Sequence, residues 1–401
     1  MPTRTCNCVF NIDQTKKDQY IAVCEGLCRG LHIDADEALD LFTYDPKAEY
    51  PVVRIPALTV TKGRTIIAAA ELRETAADNT AKRIMYRRSE DGGKNWSKAK
   101  DILAPEDVER FQDRIVHNPT FVSLDNGDLL FLFGLDYTDL WMARSSNEGK
   151  SFGLAVELTP ALRPSLAQQE QTEGWKLIAA GPGHGIQLEN GRILVPIWLS
   201  FDVREHRPSV SLVIASDDQG ETWQAGEVIA PSASDEWINP SEGTLVQLGN
   251  GDVVLNFRHE GGEGYRLYTK SADGLTTWST PEYHREMPDP VCHAGATRHP
   301  IEGWQAFINC SRKPMSQELK KHFPGQTADD RQQLALRFSI DEGKTWPRII
   351  NIAQDAGYSD LIWSYDGSSV YVLFEQGRVQ GQGSLPNSLK FVQIHFDTSE
   401  L

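Results

Sequence analysis

Arg54, Asn118, His184, Glu242, His293 and Tyr358 each stand at the start of an apolar run, and Arg73, Asp136, Asp202, Arg258, Arg312 and Glu375 each end the run that follows. Asp78 lies a few residues beyond Arg73, and Arg331 opens a later run. Arginines drawn together repel one another unless an anion or carboxylates neutralise them, so their convergence implies a polar funnel in which an anion or neighbouring carboxylates balance them. The carboxylates and the tyrosine among them are of the types used for proton transfer and nucleophilic attack.

Such residues, far apart in the chain, need a repeating scaffold to meet. A short pattern, S-x-D-x-G-x-T-W, recurs almost complete at Ser89 to Trp96, Ser216 to Trp223 and Ser339 to Trp346. Ser145 to Phe152 carries Asn147 for Asp and Phe152 for Trp, and Ser271 to Trp278 has its glycine one place early. Five copies spaced by roughly 55 to 70 residues are the mark of a repeat architecture. The chemistry of the pattern is that of a turn: Asp accepts backbone N–H bonds, Gly supplies positive φ, and Trp packs against the neighbouring unit.

Tight-turn signals count the units independently. They fall at Lys62-Gly63-Arg64, Asp125 to Asp128, Glu189 to Arg192, Gly249 to Asp252, Ile301 to Gly303 and Asp366-Gly367, each between two apolar runs. Hairpin, strand, S-x-D turn and strand make a four-stranded blade, so the expected fold is all-β, a six-bladed β-propeller of four-stranded antiparallel blades over residues 51–401. Residues 1–50 read as an N-terminal extension, and Leu389 to Phe396 could complete the last blade. Hairpin turns and S-x-D turns share one face in such a blade. The charged residues therefore belong to the opposite face, where long irregular loops carry function.

Composition narrows the ligand. A formal net charge of −16 disfavours nucleic acid and anionic membranes, which need a basic footprint. No apolar stretch approaches the roughly 18 residues of a membrane span, and the first residues are too polar for a signal-peptide core; the chain reads as soluble, cytoplasmic as given or secreted if a signal was trimmed. The six cysteines are too few for a disulfide scaffold. Cys6, Cys8, Cys24 and Cys28 lack the paired C-x2-C spacing of zinc knuckles and read as unliganded thiols.

The chain resembles the exo-sialidase family of bacterial and animal neuraminidases, over about residues 50 to 380. The resemblance is carried by Arg54-Ile55-Pro56, the S-x-D motifs, Gly181-Pro182-Gly183-His184-Gly185 and Leu255-Asn256-Phe257-Arg258. It implies that Arg54, Arg258 and Arg331 form a triad gripping a substrate carboxylate, with Arg312 the competitor for the third place. It implies Tyr358 as nucleophile, Glu242 as its base, Asp78 as acid/base and Glu375 as the partner of Arg54, with Arg73, Asn118, Asp136 and Tyr137 as sugar contacts. A neutral phenol suits an anomeric carbon that bears a carboxylate, because a carboxylate nucleophile would approach against like charge. Neither His184 nor His293 takes a place the family requires.

The expected function is retaining hydrolysis of terminal α-linked sialic acid from glycans through a tyrosyl-sugar intermediate, without metal or cofactor. Three readings stand beside it: hydrolysis of the deaminated congener, transfer to another sugar, and a sugar-binding propeller without catalysis. The last has no use for an acid, a base and a nucleophile together.

Overall fold

The computed structural model describes residues 32–230, 238–261, 263–312, 331–379 and 385–397. The four N-terminal cysteines lie outside these residues. Among the described residues helix is confined to short pieces, Pro105–Arg110 and Thr159–Leu166 with two single turns, and the strands pair antiparallel except for Gly183–His184, which runs parallel to Val116–Ser123. Each tight-turn signal joins two paired strands; Val52–Val60 and Ile66–Arg73, for example, register Leu58 opposite Ala68.

Two sheets are four-stranded: Val52–Val60, Ile66–Arg73, Ala81–Ser89 and Lys100–Asp101, and then Gly243–Gln247, Val253–Phe257, Tyr265–Ser271 and Glu282–Pro288. Two more hold five strands, and one holds eight. The large sheet is joined through the 16-residue strand Arg348–Trp363. Its first half pairs with Gln332–Ser339 and its second half with Ser369–Gln376, with the register shifting between Ala356 and Ser359. His32–Ala35 and Leu39–Thr43 both pair with the final strand Ser388–Asp397, so part of the segment expected to be an extension is tied to the last sheet.

Successive sheets contact one another in a circuit, Val52–Val60 with Val116–Ser123, Val116–Ser123 with Leu177–Ala180, Ile193–Ser200 with Gly243–Gln247, and Gly243–Gln247 with Gly295–Arg298, and the strand through Tyr358 meets Val52–Val60 to join end to beginning. Apolar clusters fill the gaps between sheets: Ala57, Ile67, Phe121 and Phe131 in one, Leu58, Ile66, Leu373 and Phe391 in another. This is a nearly all-β arrangement consistent with a β-propeller.

The S-x-D motifs are turns. Ser339 Oγ donates to Asp341 Oδ1 at 2.7 Å, Asp341 accepts from Thr345 N at 2.9 Å and Thr345 Oγ1 at 2.6 Å, and Trp346 Nε1 donates to Gly343 O at 3.2 Å. The copies at Asp91, Asn147, Asp218 and Asp273 repeat this pattern. Each motif aromatic packs on the preceding sheet, Trp96 on Phe391 at 4.9 Å and Phe152 on Tyr86 at 5.8 Å. The motif turns also touch the hairpin turns, Gly63 N donating to Glu148 Oε1 at 3.2 Å and Gly249 N to Glu342 Oε2 at 3.1 Å. Both turn types therefore occupy one face.

Candidate active site

Strand starts at the other face are bent out of regular pairing. The ladder shifts between Arg54 and Ala57 and between His117 and Thr120, and Ile55, Asn118, Asp136, Tyr137 and His206 all have φ between 52° and 62°. Left-handed backbone at non-glycine residues is strained, and strain gathered at one mouth marks a site the surrounding fold holds in place. Its effect is to turn side chains from the sheet into the funnel.

At the centre, Tyr358 Oη donates to Glu242 Oε1 at 2.6 Å and accepts from Arg258 Nη1 at 2.7 Å. Arg258 Nη1 also reaches Glu242 Oε2 at 2.9 Å, and Arg258 Nε donates to Ser241 Oγ at 3.2 Å. Burial pushes the phenol pKa well up, and the Glu242 charge adds to this, against the opposing pull of Arg258 and Arg331. The phenol stays protonated until a base takes its proton.

Two further guanidiniums flank the tyrosine ring, Arg54 with its carbon 5.5 Å from the centroid and Arg331 at 5.1 Å. Glu375 holds Arg54 through Nε at 2.5 Å and accepts from Ile55 N at 3.1 Å and Tyr358 N at 3.0 Å. Burial pushes the Glu375 carboxyl up, but Arg54 and these donors outweigh it and hold it below the ordinary value. Gly357 makes this approach possible, because a Cβ there would collide with Glu375 Oε2. Arg331 donates to Val291 O at 3.2 Å, whereas Arg312 is bonded to the Gln332 side chain. Of the two competitors, Arg331 is the one beside Tyr358.

Opposite stands a second group. Arg73, buried, is bound by Glu71 Oε2 at 2.6 Å and by Asp78 Oδ1 at 2.6 Å. The Asp78 side chain is 57 % exposed, open to whatever enters the funnel. Desolvation raises its pKa, yet Arg73 and Arg54 prevail and hold it at about 2. Tyr137 Oη donates to Asp78 O at 3.2 Å, and the Tyr137 ring stacks on His117 at 3.7 Å.

Other residues of the expected rim are bonded to neighbouring elements. Asn118 donates from Nδ2 to Ala180 O at 3.0 Å and from its backbone N to Glu71 Oε1 at 2.6 Å. Asp136 binds Arg114 and accepts from Ile115 N at 2.7 Å. Asp202 accepts from Arg204 N and Glu205 N, both at 2.8 Å. His184, buried, joins Asp360 Oδ1 at 2.8 Å to Ala296 O at 3.1 Å, and His293 lies 5.5 Å from the Tyr358 ring. Sequence reasoning missed Glu71, visible only as an acidic break in an apolar strand, and His206, which sits in a loop without a motif.

A circuit of mostly antiparallel sheets, with an arginine cluster and a tyrosine–glutamate pair on the face away from its Asp turns, is a nearly all-β arrangement consistent with a β-propeller. The chain belongs to the sialidase family, within the family described as BNR repeat-like domain, whose model matches residues 65–372. It is 27 % identical over 349 residues to a sialidase of Micromonospora viridifaciens, across 82 % of this chain and 50 % of that protein. It is also 27 % identical over 276 residues to a sialidase of Paraclostridium sordellii, across 65 % of this chain and 63 % of that protein. The chain thus spans half to just under two thirds of these two curated relatives. Among solved structures, Hadza microbial sialidase Hz136 superposes with a TM-score of 0.69 at 20 % identity, over 88 % of this chain and 67 % of that one.

Proposed function

We propose that this chain is a retaining exo-α-sialidase, with residues 51–401 forming a six-bladed catalytic propeller and 1–50 an extension whose strands brace the last blade. The long strand Arg348–Trp363, half in each of two four-stranded groups, supports counting the eight-stranded sheet as two blades. The observation that carries the function is the Tyr358–Glu242 hydrogen bond at 2.6 Å inside the arginine cluster.

Arg54, Arg258 and Arg331 take the carboxylate of a terminal sialic acid, a planar anion that guanidiniums fit better than ammonium groups do. Arg73, Asn118, Asp136 and Tyr137 border the sugar ring. Substrate binding excludes water around Asp78 and neutralises Arg54, both of which raise the Asp78 pKa from its resting value and leave it protonated. Tyr358 Oη then attacks the anomeric carbon and passes its proton to Glu242. The bond to the leaving glycosidic oxygen breaks as Asp78 gives that oxygen its proton. In the second step water attacks the same carbon, its proton goes to the Asp78 carboxylate, and Tyr358 departs and recovers its proton from Glu242. Sialidases with a tyrosine nucleophile stand outside the two-carboxylate scheme of most glycosidases. No step calls for a metal or cofactor.

The test is release of a fluorogenic aglycone from an α-linked N-acetyl sialoside, combined with mass spectrometry after trapping by a difluorinated sialic acid. A covalent adduct on Tyr358 supports the reading; turnover with no adduct on any tyrosine refutes the mechanism, and no turnover refutes the activity.

A further inference from the structure

A further arginine, Arg266, is fully buried on the strand Tyr265–Ser271, near enough to Arg258 and Glu242 to feel their charges. Its guanidinium joins two elements. Nε donates to Asn256 Oδ1, on the strand Val253–Phe257 that leads into Arg258. Nη1 donates to Cys292 O at 2.7 Å and to Asp289 Oδ2 at 3.3 Å. Asp289, also buried, accepts from Cys292 N through Oδ1 at 3.1 Å. The N–H and the carbonyl of Cys292 are thus both held, one by each member of the Arg266–Asp289 pair. The start of this segment is anchored as well, Asp289 N donating to Gly264 O at 3.0 Å and Asn309 Nδ2 to Pro288 O at 2.7 Å.

Between Asp289 and Cys292 the chain is strained. Val291 has φ at 61°, and left-handed backbone at a β-branched residue persists only where the surroundings over-determine it. What the clasp secures is the direction of the Val291 carbonyl, which accepts from Arg331 Nη2 at 3.2 Å. Arg331 in turn places its guanidinium carbon 5.1 Å from the centroid of the Tyr358 ring. A guanidinium takes a carboxylate through two parallel bonds only when its plane is aimed at it, so the carbonyl that orients the plane governs the fit. Stability alone does not call for a buried ion pair here, since apolar side chains of similar volume fill such a place as well or better. Its use lies in the fixed directions of its donors, which tie the strand leading to Arg258 to the carbonyl that holds Arg331.

Resting on the sialidase reading above, we propose that Arg266 and Asp289 are positioning residues for the anion grip: they hold the Val291 carbonyl, that carbonyl aims Arg331, and the aim of Arg331 sets how tightly the substrate carboxylate is bound.

Calorimetric titration of an unsaturated sialic acid analogue and of its methyl ester gives an acid-to-ester affinity ratio, and turnover of an aryl sialoside gives kcat and KM. Both are measured for wild type, Arg266→Lys and Asp289→Asn, with Tm alongside. Lysine keeps the charge but lacks the fork that spans Asn256, Asp289 and Cys292; asparagine keeps the shape but loses the ion pair. Each variant should lower the acid-to-ester ratio by about ten-fold, because a small misplacement of a binding group is enough for that. KM should rise by a similar factor with kcat little changed, since the carboxylate is gripped in ground and transition states alike. A role confined to stability would lower Tm and leave the ratio where it was. Should neither variant fold, Val291→Gly tests the same relay at its far end: glycine accepts this φ without strain but lets the carbonyl turn, and the ratio should fall a few-fold. An unchanged ratio in a folded variant, or a wild type that cleaves sialosides yet binds acid and ester alike, overturns this inference and leaves the sialidase reading standing. A wild type that cleaves no sialoside overturns both.

Discussion

The Tyr358 hydroxyl donates to Glu242 at 2.6 Å and at the same oxygen accepts from Arg258 at 2.7 Å. On the proposed mechanism the proton that leaves the phenol already lies on the line to its acceptor, and the guanidinium proposed to bind the substrate carboxylate also steadies the charge that develops on oxygen. Tyr358→Phe should cut kcat by roughly a thousand-fold or more, while affinity for an unsaturated sialic acid analogue changes only a few-fold. Stopped-flow turnover and calorimetric titration give the two numbers.

Asp78 is ion-paired in the unliganded protein and must be protonated to act as an acid. Asp78→Asn should slow substrates with poor leaving groups by about a hundred-fold or more and aryl glycosides with good ones far less, since a phenolate departs with little protonation. Comparing a sialyl disaccharide with a nitrophenyl sialoside separates the cases; equal losses would assign Asp78 to binding alone.

Arg258 is asked to contact the substrate carboxylate. Arg258→Lys should weaken analogue binding by about 2 to 5 kcal/mol, because an ammonium lacks the fork. A methyl ester of the analogue should lose a similar amount on wild type, and ester combined with mutant should lose much less than the sum. Simple additivity would mean that Arg258 touches another part of the sugar.

Asp341 lies in a turn on the face away from the funnel. Asp341→Ala should lower stability by about 1 to 3 kcal/mol, read as a lower Tm, with KM unchanged in the folded enzyme. A raised KM at unchanged Tm would place this face at the substrate.

His117 accepts from Tyr137 N through Nε2 at 3.1 Å, so it is folded as the neutral ring. Burial lowers its pKa to about 3. The unfolded chain, with an ordinary histidine pKa near 6.5, therefore binds the extra proton first, and His117 costs stability progressively as pH falls from about 6.5 toward 3. Denaturant midpoints across that range should fall more steeply in wild type than in His117→Gln.

Much of the arrangement was legible because local chemistry repeats. The serine, Asp or Asn, and glycine of each motif satisfy one another within eight residues, so the turns follow from short-range bonding alone. The arginines, Asp78, Glu242 and Tyr358 were legible because each sits at a fixed offset from such a turn or strand end. Tertiary structure decided what no offset carries. Whether Arg331 or Arg312 stands beside Tyr358 depends on how the strand Gln332–Ser339 meets Arg348–Trp363 across the register shift at Ala335. Glu71 holds Arg73 two residues along the chain, but its other oxygen finds a donor only when Asn118, 47 residues away, brings its N–H to it. The loop carrying His206 is fixed because Arg207 finds Glu260, 53 residues along the chain, an ion pair whose partners share no motif and meet only when the two neighbouring sheets pack.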